Sequence, residues 1–264
     1  QGGRRGREEY QRAIAGLQRD KPAYAAYAEG RALLDKSPEK ALVLADKAIA
    51  IQPREALFQG LRGDALAARG RDKEARAAYD KAVALDDSFF RHYLQRGRLE
   101  QKMGDQAAAS RDLQRSLQLL PTADAHYALG LAMLKQDDKG AALKHFQTAA
   151  GSSSMAGKAA ARELVNLDLP AQPHRYLKTT LYRDRSGRLL LSVRNETSLK
   201  VKNLLVLVGR RDASGRIYRG ALERVPGTLP PGGSARIVTG ISGVVSDKEL
   251  RRYAAQVREA EVVK

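Results

Sequence analysis

Arg91, Gln95, Arg98 and Lys102 stand at steps of four, three and four residues, a spacing that returns side chains to one face of an α-helix. Guanidinium and ammonium groups in such a row donate charge-assisted hydrogen bonds, and carboxylates are the acceptors they match best. The row therefore fits an acidic protein or peptide segment. Its plain alternative is a charged face turned to solvent.

Residues suited to bond-making chemistry are scarce. The four histidines, His92, His126, His145 and His174, form no HExxH motif. None is spaced from another histidine or a carboxylate as a helical zinc pair would be. With no cysteine, the chain has no thiolate ligand, thiol nucleophile or disulfide framework. No GxSxG or Walker A sequence occurs. Asp137-Asp138 reads as an exposed turn rather than an acid/base pair. The chain is expected to be non-catalytic, with no metal and no cofactor of its own.

The elements that hold the cationic row come from a repeat. Between Arg54 and Ala150 one pattern recurs about every 34 residues. Gly63, Gly97 and Gly130 set its register. Small residues follow at Ala75, Ala109 and Ala142, bulky ones at Tyr79, Leu113 and Phe146, and small ones again at Ala82, Ser116 and Ala149. Such a period marks a solenoid of stacked units, in which small residues allow close helix approach and bulky ones fill the gaps. The order resembles the tetratricopeptide repeat, a helix–turn–helix unit. That resemblance implies a concave groove lined by the first helix of each repeat, with a protein or peptide partner. In this register Asp64, Tyr127 and Leu131 join Arg91, Gln95, Arg98 and Lys102 on the groove, with Tyr27, Leu61 and Lys135 nearby. A carboxylate clamp needs Lys and Asn four apart on the first helix, and none of the pairs Ala26/Gly30, Gly60/Asp64, Leu94/Arg98 and Tyr127/Leu131 provides it. His92 and His126 fall where packing residues belong.

Upstream, residues 22–53 hold a degenerate first repeat: Ala41, Ala48 and Pro53 keep the register, while the helix glycine position holds Glu29 beside Gly30. Residues 1–21 contain an amphipathic lead-in helix, Arg7–Arg19, with Tyr10, Ile14 and Leu17 at helical spacing. Gly70 and Gly104 suit helix C-caps. Ser154 suits the N-cap of a further helix, Met155–Leu167, expected to cap the last repeat as solenoids require. Four repeats and this cap thus fill residues 22–170, and Pro170-Ala171-Gln172-Pro173 closes the domain.

After His174 the hydrophobic period becomes two, the mark of strands. Tyr176–Arg183, Arg188–Asn195, Val201–Arg210, Arg216–Val225, Ala235–Ile241 and Gln256–Val263 are the expected strands. Asp184-Arg185-Ser186-Gly187 and Asp212-Ala213-Ser214-Gly215 are hairpin turns in which glycine supplies a positive φ. Ser246 and Glu249 have capping-box spacing, so a short helix follows. The fold class is therefore α plus β in two domains, an all-α solenoid followed by a small antiparallel, immunoglobulin-like β-sandwich over residues 171–264. Asn195-x-Thr197, an apolar strand, a turn and Leu229-Pro230-Pro231-Gly232 resemble small β-sandwich domains appended to secreted bacterial proteins.

The 264 residues carry a net charge of +17. Residues 171–264 hold nineteen Lys and Arg against eight Asp and Glu. Basic domains bind nucleic acid, anionic membranes or acidic proteins, but a solvated basic surface is the plainer reading. Nucleic acid is disfavoured because the strands lack the interleaved aromatics that stack on bases, despite Tyr176, Tyr182 and Tyr218. No apolar run reaches the roughly 20 residues of a membrane span. The chain begins at Gln1 without a leader-like stretch and reads as a fragment or processed form.

The whole order, with the phrases Leu61-Arg62-Gly63-Asp64-Ala65-Leu66 and Pro121-Thr122-Ala123-Asp124-Ala125-His126-Tyr127-Ala128-Leu129-Gly130, resembles the region after the catalytic domain in BepA-like bacterial zinc metallopeptidases of the Ste/HtpX clan. The resemblance implies a substrate- or partner-recruiting region of a periplasmic protease in envelope protein quality control. Since HExxH is absent, no catalytic role carries over. A freestanding periplasmic scaffold for envelope, pilus or secretion assembly is the alternative, and a cytoplasmic location is compatible with the residues.

Overall fold

The computed structural model describes residues 21–263. The lead-in helix expected at Arg7–Arg19 lies outside the described residues. The chain divides by contact into two compact units, Gln1–Asp138 and Lys139–Lys264.

The first unit is a run of helices: α1 (21–33), α2 (Pro38–Ile51), α3 (Ala56–Ala68), α4 (Asp72–Leu85), α5 (Phe90–Met103), α6 (Gln106–Leu119) and α7 (Ala123–Lys135). Each helix packs on its neighbour in sequence because their shared seams are alanine, glycine and one large residue. Ala41, Ala75, Ala82 and Ala109 are wholly buried. A side chain at Gly63 would stand 2.5 Å from the Tyr79 ring, and one at Gly97 would stand 2.9 Å from Leu113. The register glycine of the first repeat is Gly30, whose added Cβ would meet Leu61 at 2.9 Å; Glu29 is exposed. Gly70 and Gly104 end their helices with φ of 73° and 91°, the left-handed conformation that glycine adopts without a Cβ penalty. Asp105 and Thr122 cap α6 and α7 by accepting bonds from Ala108 N and Ala125 N.

The second unit holds α8 (Lys139–Ala150), α9 (Met155–Asp168) and six strands. Ser154 caps α9 through Gly157 N. The strands are β1 (Leu177–Arg183), β2 (Leu189–Asn195), β3 (Val201–Arg211), β4 (Ile217–Leu229), β5 (Ser234–Val238) and β6 (Tyr253–Val262), with a short helix α10 (Asp247–Leu250) before the last. They form two antiparallel three-stranded sheets, β1-β2-β5 and β4-β3-β6. Alternation along β2 sends Leu189, Leu191 and Val193 inward, where they meet Val206 and Val208 of β3 in one core. Val165 and Leu169 at the end of α9 belong to that same core, which is why the last helices group with the strands.

Buried Asn195 ties the sheets' loops together. Its Nδ2 donates to the carbonyls of Leu199, Leu229 and Pro230, and its Oδ1 accepts from the backbone and hydroxyl of Thr197. Both Asp-x-Ser-Gly turns form as expected. Asp184 Oδ1 accepts from Ser186 and Arg188, Asp212 Oδ1 from Ser214 and Arg216, and Gly187 and Gly215 take φ of 78° and 85°.

Candidate functional site

The first helices of successive repeats, α1, α3 and α5, meet at Asp64. This carboxylate is buried, its side chain 6% exposed. Arg31 Nη1 from α1 and Arg91 Nη2 from α5 donate to its Oδ2 at 3.1 and 3.2 Å. Tyr79 Oη from α4 and Gln95 Nε2 from α5 donate to Oδ1 at 2.7 and 3.2 Å. Four donors on one buried carboxylate offset the cost of taking it out of water. Burial, and then the Asp64 charge, push the Tyr79 phenol far above its ordinary range, so it is a fixed donor. Two arginines against one aspartate leave the spot locally positive.

Arg98 and Lys102 stand further along α5 and are engaged elsewhere. Arg98 Nη2 donates to Asp124 Oδ1 of α7 at 2.8 Å, and Lys102 Nζ donates to Asp72 Oδ1 of α4 at 2.7 Å. Both pairs are open to solvent. The expected row therefore resolves into two parts. Arg91 and Gln95 serve the Asp64 hub, while Arg98 and Lys102 hold exchangeable surface pairs. Tyr127 and Leu131 are half-buried on α7 and do not line the cleft described next.

Beside the hub lies a cleft of about 270 Å³. Leu34, Ala67, Ala68 and Leu99 give it apolar walls, and Arg98, Lys102 and Asp35 stand at its edge. On the other side of Asp64 the space is closed to about 10 Å³ by Tyr27, Leu57, Phe89 and His92. His92 packs on Gly60, where an added Cβ would lie 2.7 Å from the imidazole, and meets Phe89 edge-on at 4.9 Å. Burial holds His92 below the usual imidazole range, so it is a packing group, as its repeat position implied. Among the described residues, no cluster of three or more His, Asp or Glu could hold a metal ion.

Arg31 and the walls Leu34, Ala67, Ala68 and Leu99 are site residues that the repeat pattern does not single out, although the register contains a signal. Arg31, Asp64 and Arg98 occupy nearly equivalent positions in three successive repeats. Stacking repeats sets such positions side by side, and the opposite charges of Arg31 and Asp64 do pair there, whereas Arg98 pairs with Asp124 instead.

Comparison with solved structures agrees with this architecture. The pilF protein of Pseudomonas aeruginosa superposes with a TM-score of 0.54 at 23% identity, covering 57% of this chain and 69% of that one. A thermophilic tetratricopeptide repeat protein of Thermus thermophilus superposes with a TM-score of 0.50 at 20% identity, covering 59% of this chain and 87% of that one. The helical fold is that of the tetratricopeptide repeat. In sequence, human DnaJ homolog subfamily C member 7 is 40% identical over 73 residues, 28% of this chain. The mouse protein of the same name matches equally over the same length. The matched segment spans 15% of those relatives' length. No family model matches the chain. In this array the hub at Asp64 ties α1, α3, α4 and α5 together, and an open cleft lies beside it.

Proposed function

We propose that this chain is a non-catalytic protein-interaction scaffold whose cleft between α1, α3 and α5 receives a partner segment carrying a carboxylate beside an aliphatic side chain. One observation supports this most: apolar walls from α3, α5 and the turn after α1 adjoin Arg98 and Lys102, whose present ion pairs are exposed. Exposed pairs contribute only about 0–1 kcal/mol each, so a ligand carboxylate can take the place of Asp124 or Asp72 at little cost. The apolar walls supply affinity, at about 25 cal/mol per Å² covered, and the cations supply orientation.

The finer reading places the chain in the recruiting region of a periplasmic, BepA-like zinc metallopeptidase acting in envelope protein quality control. It rests on the repeat phrases around Gly63 and Gly130 and on the order of solenoid then β region. A freestanding scaffold would use the same cleft without an attached protease, and an HExxH helix encoded upstream of Gln1 separates the two. The cleft itself is tested by Arg98→Glu, which should weaken partner capture at least tenfold while moving the melting midpoint little. Unchanged capture would remove the assignment.

A further inference from the structure

The second unit presents another surface, at the end of its sheets away from α9. At the α9 end, Pro170 and Asn166 lie beside Leu199, Val262 and Val263, where β2 passes into β3 and β6 finishes. The opposite end gathers the β1–β2 turn, the β3–β4 turn, the loop after β5 and α10. Hydrogen bonds join these pieces: Val244 N to Gly187 O, Arg211 N to Arg252 O, and Arg183 Nε to Asp247 Oδ1. Three arginine clusters thereby converge on one end, Arg183 with Arg185 and Arg188, Arg210 with Arg211 and Arg216, and Arg251 with Arg252. Among the described residues, Arg185, Arg216, Arg251 and Arg252 have no carboxylate within ion-pair distance, and all four are exposed. The carboxylates present are committed locally, Asp184 to Arg188, Asp247 to Arg183, Asp212 to its own turn and Glu249 to the backbone N of Val245.

Apolar side chains stand among these cations. Val245, in the loop before α10, is 73% exposed, and Val238 at the end of β5 is 54% exposed. Tyr182 and Tyr218 are exposed at the same end, and Arg210 lies over the Tyr253 ring at 5.8 Å. We propose that this end docks on the surface of an anionic lipid bilayer. Arginines at loop tips would meet lipid phosphates, and Val245 and Val238 would enter the headgroup boundary. The tyrosines suit the same depth, an apolar ring with a polar tip. Aliphatic tips favour a bilayer over nucleic acid, since valine offers no face on which bases stack.

Vesicle flotation of the full chain tests this, with phosphatidylcholine alone and with phosphatidylcholine mixed with phosphatidylglycerol. Binding is expected only to the anionic vesicles, weakening as salt is raised. Each cation removed should cost roughly fivefold, so the Arg185→Glu/Arg252→Glu pair should lose about 25-fold or more. Val245→Asp should weaken binding as well, and Arg98→Glu should leave it unchanged. These substitutions lie on exposed positions, and unaltered circular dichroism and melting would confirm that the variants are folded. Equal binding to both vesicle types, no binding to either, or an unaffected double variant would overturn the proposal. So would tighter binding to a single-stranded oligonucleotide at matched salt, lost on the same substitutions, which would assign the surface to nucleic acid.

Discussion

At the scale of residues, Asp64 and Glu100 are two buried carboxylates with opposite circumstances. Asp64 accepts from Arg31, Arg91, Tyr79 and Gln95, so removing it strands two guanidiniums and a phenol at once. Asp64→Ala should therefore cost about 3–5 kcal/mol in denaturant unfolding. Arg91→Ala should cost about 1 kcal/mol or less, because Arg31 remains and Arg91 is partly solvated. Glu100 is 3% exposed, and its nearest cation, Arg76, stands at 3.7 Å. Arg96, one turn away, is spent on Asp112 and Asp80. Burial, with repulsion from Asp112, raises the Glu100 carboxyl to about 7. The folded state thus binds this proton more tightly than the unfolded state. Stability must then fall as pH rises from the ordinary carboxyl range to about 7. Glu100→Gln should remove that slope and stabilise the protein at pH 8 by on the order of 2 kcal/mol. Thermal melts of both proteins across roughly pH 4 to 8 would show it, and parallel profiles would contradict it.

At the scale of elements, close helix approach depends on what each glycine faces. A Cβ added at Gly63 would lie 2.5 Å from the ring of Tyr79, and that ring is pinned by its bond to Asp64. Gly30 faces the end of the Leu61 side chain, which can rotate. Gly63→Ala should accordingly destabilise by about 2 kcal/mol and Gly30→Ala by less, since overpacking is cheaper where a flexible neighbour can shift. In the β region, Asn195→Ala would take the amide donor from the carbonyls of Leu229 and Pro230 and leave Leu199 only the Thr197 hydroxyl, a loss of about 3 kcal/mol by chemical denaturation. The repeat glycines, the strand alternation and the two Asp-x-Ser-Gly turns are legible in the sequence because each is a local rule of period or turn chemistry. The first repeat's glycine falls one residue from the register position, at Gly30 rather than Glu29, because the stretch from Gly30 in α1 to Ala41 in α2 is one residue shorter than its equivalents, Gly63 to Ala75 and Gly97 to Ala109. The Asp64 hub and the Asp124 and Asp72 partners of α5 are not legible. They form only when five helices, α1, α3, α4, α5 and α7, stack, and no local pattern states which cation a carboxylate will meet.

At the scale of the whole molecule, the two proposed contacts draw on different parts of a net charge of +17. The helical unit presents two exchangeable cations next to an apolar cleft, and the β unit presents unpaired arginines around exposed valines at one end. Salt should separate the two. A cleft that gains affinity from apolar contact keeps part of its binding at high ionic strength, whereas a surface held by headgroup attraction loses most of it. The proposed reading of an acidic, aliphatic segment by the cleft beside Asp64 can be checked by selecting peptides from a random display library on the full chain. Their binding to the parent protein and to Arg98→Glu is then measured by fluorescence anisotropy. The selected peptides should share a carboxylate beside a leucine-like residue and lose at least tenfold in affinity for Arg98→Glu. Peptides of no common charge, or ones binding both proteins equally, would contradict it.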